Sequence, residues 1–300
     1  MVGEVLIDLL PDGDKQKAVV GGGPANTAVA LSKLGIKTQF INGISTDSYG
    51  KACKQYLEGA GVLLDFVNYS NKPTCTATVS LDKAGGASYQ FLIDETSTFD
   101  YQLDQLPDPQ KQAPSLLHIG TLVCAVEPCA SALHQWVTSF KQSVPIVYDP
   151  NIRPSVIADR ALYLKQVLRW VSLSTVAKLS IDDLNWLYPG KSVDDVAKEF
   201  IGMGVKLVVV TLGDAGIVAI TKDEKCSVAA VKTKVVDTVG AGDTVGAILV
   251  EGIIKHSVIG LQSATLNAVL HRAAIAAGIT VSRAGAQPPR LHELVEALDA

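Results

Sequence analysis

Two hydrophobic rhythms alternate along the chain. Short runs rich in β-branched residues ("VLIDLLP", "TQFINGIS", "LLHIGTLV", "PIVYDPN", "VAKLS" and "KLVVVTLG") read as strands. Between several of them lie longer segments with apolar residues at helical spacing. Asn26 to Gly35, "NTAVALSKLG", is such a segment and ends at a glycine suited to a helix C-cap. "YGKACKQYLEGAGV" and "VDDVAKEFIGMG" are others. After Asp243 the pattern becomes strongly helical, through "TVGAILVEGIIK" and "LQSATLNAVLHRAAIAAGI". Strands alternating with helices predict βαβ units and a mostly parallel sheet, an α/β fold.

The rhythm breaks once. Thr74 to Asp94, "TCTATVSLDKAGGASYQFLID", holds two strand-like runs around a polar, Gly-rich turn. That is a hairpin signal, unlike the surrounding pattern. It predicts a small antiparallel lid on the α/β core, built from segments at about 14–20 and 72–94, with Lys15–Val20 adding a strand. No Pro- or Ser-rich linker interrupts the chain, so a single domain over 1–300 is expected.

Composition narrows the function classes. Hydrophobic residues make up 48% and charged residues 19% of the 300 positions, which excludes a disordered or fibrous chain. The net charge is −4, and no basic stripe offers a footprint for nucleic acid. The five cysteines include no C-x-x-C pair, which points to buried thiols in a reducing compartment. The opening "MVGEVLIDLLP" carries acids at Glu4 and Asp8, unlike a signal peptide. The apolar runs read as too short for a membrane span of about 20 residues. A cytoplasmic protein with no membrane partner is expected.

Two glycine-rich segments fall at strand-to-helix loops, where open parallel sheets bind ligands. In "GGGPAN", Gly21 to Asn26, the glycines let backbone approach a ligand, and Asn26 can cap a helix or bond a hydroxyl. The spacing is not G-x-G-x-x-G, so a dinucleotide fingerprint is excluded. In "DTVGAGDTVGAILV", Gly240, Ala241 and Gly242 precede a helix whose free N–H groups can hold an anion. Asp243 in the first helical turn is either a dipole-complementing cap or a base that takes a hydroxyl proton beside the anion hole. His118 reads as a packed strand-end histidine.

"GGGPANTAVALSKLG" and "DTVGAGDTVGA" resemble the amino- and carboxyl-terminal signatures of the ribokinase-like, PfkB-type sugar kinases. "DPNIRP" at Asp149 to Pro154 and "KLSIDDL" at Lys178 to Leu184 resemble the fructokinase branch. The resemblance implies a three-layer αβα sandwich with a β-sheet lid. It implies transfer of the γ-phosphoryl of ATP to a sugar hydroxyl, with Mg²⁺ and a monovalent cation such as K⁺. Asp243 matches the family's catalytic base, and Gly240, Ala241 and Gly242 its anion hole. Asp8, Gly22, Gly23 and Asn26 match sugar-binding positions, with Arg153 as a further candidate; Asp8 is read as closing the first strand. Lys178, Ser180, Thr211, Gly213, Gly216 and Ala274 match the ATP side. Asp183 matches a position near magnesium, where relatives often carry Glu. Asp237, Val239 and Gly285 resemble a monovalent-cation site.

An exposed flat hairpin invites pairing, so a homodimer joined through the lid is expected. Val245 and Ile248 depart from the usual Phe and small residue, and "FLID" lacks an Arg common in fructokinases. "DPNIRP" makes fructose the first expectation, and these departures keep ribose, 2-keto-3-deoxygluconate, tagatose phosphate or a nucleoside as alternatives. A non-catalytic binding protein on the same fold is the alternative from another class.

Overall fold

The computed structural model describes residues 1–13, 15–81, 87–109, 111 and 113–299. The chain forms β1 (Leu6–Asp12), β2 (Lys15–Gly21), α1 (Gly23–Lys33), β3 (Gly43–Ser45), α2 (Ser48–Gly59), β4 (Asn68–Ser70), β5 (Thr76–Leu81) and β6 (Ala87–Leu92). It continues through β7 (Leu117–Gly120), α3 (Cys129–Thr138), β8 (Ile146–Asp149), α4 (Arg160–Val171), β9 (Val176–Ser180), α5 (Ile181–Leu187), α6 (Val193–Gly202) and β10 (Leu207–Thr211). The last third holds β11 (Ile217–Ile220), β12 (Lys225–Val228), α7 (Ala241–Gly260), α8 (Ser263–Val281) and α9 (Leu291–Asp299).

The main sheet has the order β12-β11-β10-β9-β8-β7. Strands β7 to β10 run parallel, and β11 and β12 turn back antiparallel. Val2 bridges Ile119 on one side and Ile41 on the other, which carries the sheet past β7. Because side chains alternate across a strand, the sheet divides two apolar cores. Val208 and Val210 of β10 join one core with α3 to α6; Leu207 and Val209 join the other with α1, α2, α7 and α8. Both faces of the sheet are therefore covered by helices, and the fold has three layers.

A second sheet, in the order β2-β1-β5-β6, forms the lid. β1 begins buried in the core at Leu6 and Ile7 and ends exposed at Pro11 and Asp12. Asp8 thus lies within a continuous strand, opposite Val19, and does not close it as the sequence suggested. The strand runs on because β2 pairs along its whole length to Asp12, while β5 pairs on its other side from Ile7 to Leu9. Asp14, and the 82–86 turn read between the hairpin strands, lie outside the described residues.

Helix starts are set by local chemistry. Asp47 caps α2 by accepting from the Gly50 N–H at 2.7 Å. Ser180 and Asp183 form a reciprocal capping box at the start of α5, and Ser192 and Asp195 do so at α6. α1 begins at Gly23, earlier than the Asn26 expected, because Pro24 occupies its first turn, where proline is tolerated. By length and composition α8 could cross a membrane, which the apolar-run reading missed because its hydropathy is spread over alanines. Half of that window is buried inside the protein.

Candidate active site

The site forms where β1, β8 and β9 meet the starts of α1 and α7. Three consecutive glycines let several polar groups converge there. A Cβ on Gly21 would lie 2.1 Å from Asp8 Oδ2. Gly22 has φ of 110°, and a Cβ there would lie 2.6 Å from the Glu4 carbonyl oxygen. A Cβ on Gly23 would lie 3.0 Å from Asn151 Nδ2 and 3.1 Å from Asp243 Oδ1. Side chains at these positions would occupy the space between the polar groups, so the glycine run is a steric requirement of the site.

Asp243 sits in the first turn of α7. Its Oδ2 accepts from Asn26 Nδ2 at 2.9 Å, which leaves Oδ1 on the Gly23 side. Asp243 keeps some accessible surface, yet protein crowds the carboxylate, and lost solvation pushes its pKa up to about 6. Lys178 and the Asn26 bond oppose that rise, and Asp149 adds to it.

Gly240, the N-cap of α7, is left-handed at φ 81°, ψ −2°, and a Cβ there would lie 2.7 Å from Ala286 Cβ. Only glycine fits, and this turn sets the positive end of α7 at the site, with the Ala241 N–H turned back to the Thr238 carbonyl at 3.3 Å. Thr244 Oγ1 donates to the Gly240 carbonyl at 2.9 Å and also contacts Thr280 Oγ1 at 2.9 Å, which ties the turn to α8. Asp237 braces the loop from outside. Its Oδ1 accepts from the Val239 N–H at 3.0 Å and its Oδ2 from the Gly285 N–H at 2.8 Å.

Beneath this turn lies a buried ion pair. Lys178 Nζ, on β9, is 2.6 Å from Asp149 Oδ2, at the end of β8, and each side chain is 5% exposed. A Cβ on Gly242 would stand 3.2 Å from that ammonium. Burial alone would lower the Lys178 pKa; the carboxylates of Asp149, Asp243 and Asp183 outweigh it and hold the pKa above the usual value. Asp149 Oδ1 is buried without a hydrogen-bond partner.

The remaining candidates divide into three groups. Asp8 is half-buried, and loss of solvation pushes its pKa up to about 6 against the pull of Arg153. Arg153 folds back on its own loop, where Nη1 donates to Asn151 Oδ1 at 2.8 Å and to the Ile152 carbonyl at 3.0 Å. Ser180 and Thr211 are paired neighbours at the ends of β9 and β10, and Gly213 and Gly216 follow with φ of 62° and 101°. Gly213 faces open space, with nothing within 4 Å of a Cβ. Asp183, in contrast, has both oxygens engaged by backbone: Oδ1 by the Ile152 N–H at 2.6 Å and Oδ2 by the Ser180 N–H at 2.9 Å. It clamps two loops together. Ala274 is 4% exposed and packs within the apolar core.

Two groups at the site were missed. Glu4 is buried, its Oε1 accepts from Thr121 Oγ1, and burial pushes its pKa up to about 7. Tyr56 Oη donates to Asn26 Oδ1 at 3.3 Å. An acid within an apolar run was a readable signal for Glu4; nothing in the sequence joins Tyr56 to Asn26.

Comparison with known proteins adds the following. The family described as pfkB family carbohydrate kinase matches residues 1–293. A fructokinase from Rhizobium leguminosarum bv. trifolii is 35% identical over 250 residues, 82% of this chain and 76% of that protein. The crystal structure of fructokinase from Vibrio cholerae O395, with fructose, ADP and calcium ion bound, superposes with a TM-score of 0.87. It is 26% identical, over 99% of this chain and 97% of that one. Fructokinase from Xylella fastidiosa with bound ATP gives 0.90 at 22% identity over 99% and 97% of the two chains, a likeness of fold.

Proposed function

The chain belongs to the pfkB family of carbohydrate kinases, and from that premise we propose fructose as its acceptor and fructose 6-phosphate as its product. The observation that carries the mechanism is the pairing of Asp243 with the start of α7. One carboxylate oxygen is held by Asn26, the other is open on the Gly23 side, and the helix N-terminus lies alongside. Asp243 takes the proton of the acceptor hydroxyl. The N–H groups from Gly240 through Asp243 hold the charge on the transferred phosphoryl group. The hydroxyl oxygen bonds to the γ-phosphorus as the bond to the ADP oxygen breaks.

Asp8, Gly22, Gly23 and Asn26 bind the sugar in this reading, and Arg153 orders their loop and balances Asp8. Lys178, Ser180, Thr211, Gly213 and Gly216 face the nucleotide. Among the described residues no group of three or more His, Cys, Asp or Glu could hold a metal. That suits Mg²⁺ carried mainly by the nucleotide phosphates and its own waters, with Asp183 acting through water. Magnesium would supply charge neutralisation on those phosphates. A K⁺ ion bound near Asp237, the Val239 carbonyl and Gly285 would brace the anion-hole loop. The lid's exposed edge strand β2 fits pairing with a second copy, as a homodimer, and the protein acts in the cytoplasm.

The acceptor is tested by measuring ADP formation with ATP and a panel of fructose, ribose, 2-keto-3-deoxygluconate and nucleosides. The reading expects the highest kcat/KM on fructose. A higher value on a nucleoside would overturn it. Gly21→Ala tests the place of Asp8. The added methyl displaces the Asp8 carboxylate, and loss of a charged hydrogen bond to the acceptor raises the fructose KM by roughly tenfold or more. The KM for ATP should stay near wild type. An unchanged fructose KM would remove Asp8 from the sugar site.

A further inference from the structure

Asn26 is an amide, and an amide has two different ends. Its Nδ2 donates to Asp243 Oδ2 at 2.9 Å, and its Oδ1 accepts from Tyr56 Oη at 3.3 Å. These bonds link three helices in series, α2 to α1 to α7. Asn26 itself is 5% exposed, so a lost partner there is not replaced freely by water. If the amide turned over, its carbonyl would face the Asp243 carboxylate, acceptor against acceptor, and the Tyr56 hydroxyl would face an NH₂ group.

We propose that Tyr56 is a positioning residue for the transfer reaction. Its hydroxyl fixes the Asn26 amide so that one Asp243 oxygen is held and the other is left for the acceptor hydroxyl. The inference rests on Asp243 being the base. Tyr56 keeps its proton throughout the neutral range, because burial, with the Asp243 charge adding to it, pushes its pKa up to about 12. It therefore always carries an O–H to donate to the Asn26 carbonyl. Its ring packs against the apolar core, and its helix is anchored at the other end by Asp47, which accepts from the Thr74 N–H at 2.9 Å and Thr74 Oγ1 at 2.7 Å. The donor is thus carried on a fixed support. The other charged groups around Asp243 are Lys178 on β9, Asp149 at the end of β8, and Arg153 beyond it. None of them contacts Asn26 by a hydrogen bond; among the described residues the amide side chain is held between the Asp243 carboxylate, which accepts, and the Tyr56 hydroxyl, which donates.

The test is Tyr56→Phe, which keeps the ring and removes the hydroxyl. kcat should fall by roughly ten- to a hundredfold, the scale of a misplaced catalytic group, with the KM for ATP and the urea midpoint near wild type. Asp243 would lose a fixed donor, so the acid limb of the kcat profile should move to higher pH. In an Asn26→Ala background the same substitution should add nothing. The proposal is overturned if Tyr56→Phe leaves kcat and the acid limb unmoved, or if it costs as much without Asn26 as with it. Failure of the base reading looks different: Asp243→Asn would stay active, and the wild-type profile would carry no acid limb near pH 6.

Discussion

Asp243→Asn should lower kcat by roughly a hundred- to ten-thousandfold, the range for a lost general base, while ATP still binds. The substitution is nearly isosteric, so Asn26 keeps a partner and the first turn of α7 keeps its shape. What disappears is a group that can accept a proton. In the wild type burial sets the Asp243 pKa at about 6, so the ionised base is populated above that pH and lost below it. kcat should rise with pH through about 6, and the variant's residual activity should lack that limb. Steady-state kinetics from pH 5 to 8, with ATP affinity measured separately by calorimetry, checks both points. Near-normal turnover in the variant would remove Asp243 from the base role.

The second large effect is on stability. Lys178→Met keeps most of the apolar stem and removes the ammonium that sits 2.6 Å from Asp149. Asp149 is then a buried carboxylate with one oxygen already unpartnered and the other newly so. Breaking a buried pair from one side costs about 3–5 kcal/mol, and this is the expected loss in urea unfolding. Replacing both partners, as Lys178→Met with Asp149→Leu, should recover much of it, because no charge is left stranded. If the single variant unfolded within about 1 kcal/mol of wild type, less than such a stranded charge costs, the pair would not be isolated from water as its geometry indicates. Activity should also drop in the single variant, since the ammonium lies under Gly242 in the anion-hole turn.

Much of this site was legible in the chain because it depends on local chemistry. Gly240 must adopt a left-handed turn, and Gly21 to Gly23 must leave room for other groups; glycine is the residue that allows both, so the glycines announce the loops. Asp243 announces itself as an acid placed where a helix begins. Ser180 and Asp183 stand at capping-box spacing, a second signal beside the family likeness, and that box forms at the start of α5. Other features depend on strand and helix placement. Lys178 and Asp149 lie 29 positions apart and meet because β8 and β9 are parallel neighbours. Tyr56 reaches Asn26 because α1 and α2 pack side by side, and an exposed helix tyrosine carries the same letter. Asp8 was read as a strand end because the buried stretch stops there, whereas lid pairing carries β1 four residues further, to Asp12. Ala274 is ambiguous for the opposite reason: a small apolar residue on a helix fits a pocket wall and a packed core equally well, and its letter does not separate them.

The transfer reaction is tested most directly by its product. The purified protein is incubated with ATP, Mg²⁺ and uniformly ¹³C-labelled fructose, and the sugar is examined by ¹³C and ³¹P NMR. Phosphorus coupling at C6, with one ADP formed per phosphorylated sugar and both formed far more slowly by Asp243→Asn, is the predicted result. A phosphate on another carbon, or ADP formed without any phosphorylated sugar, would contradict it.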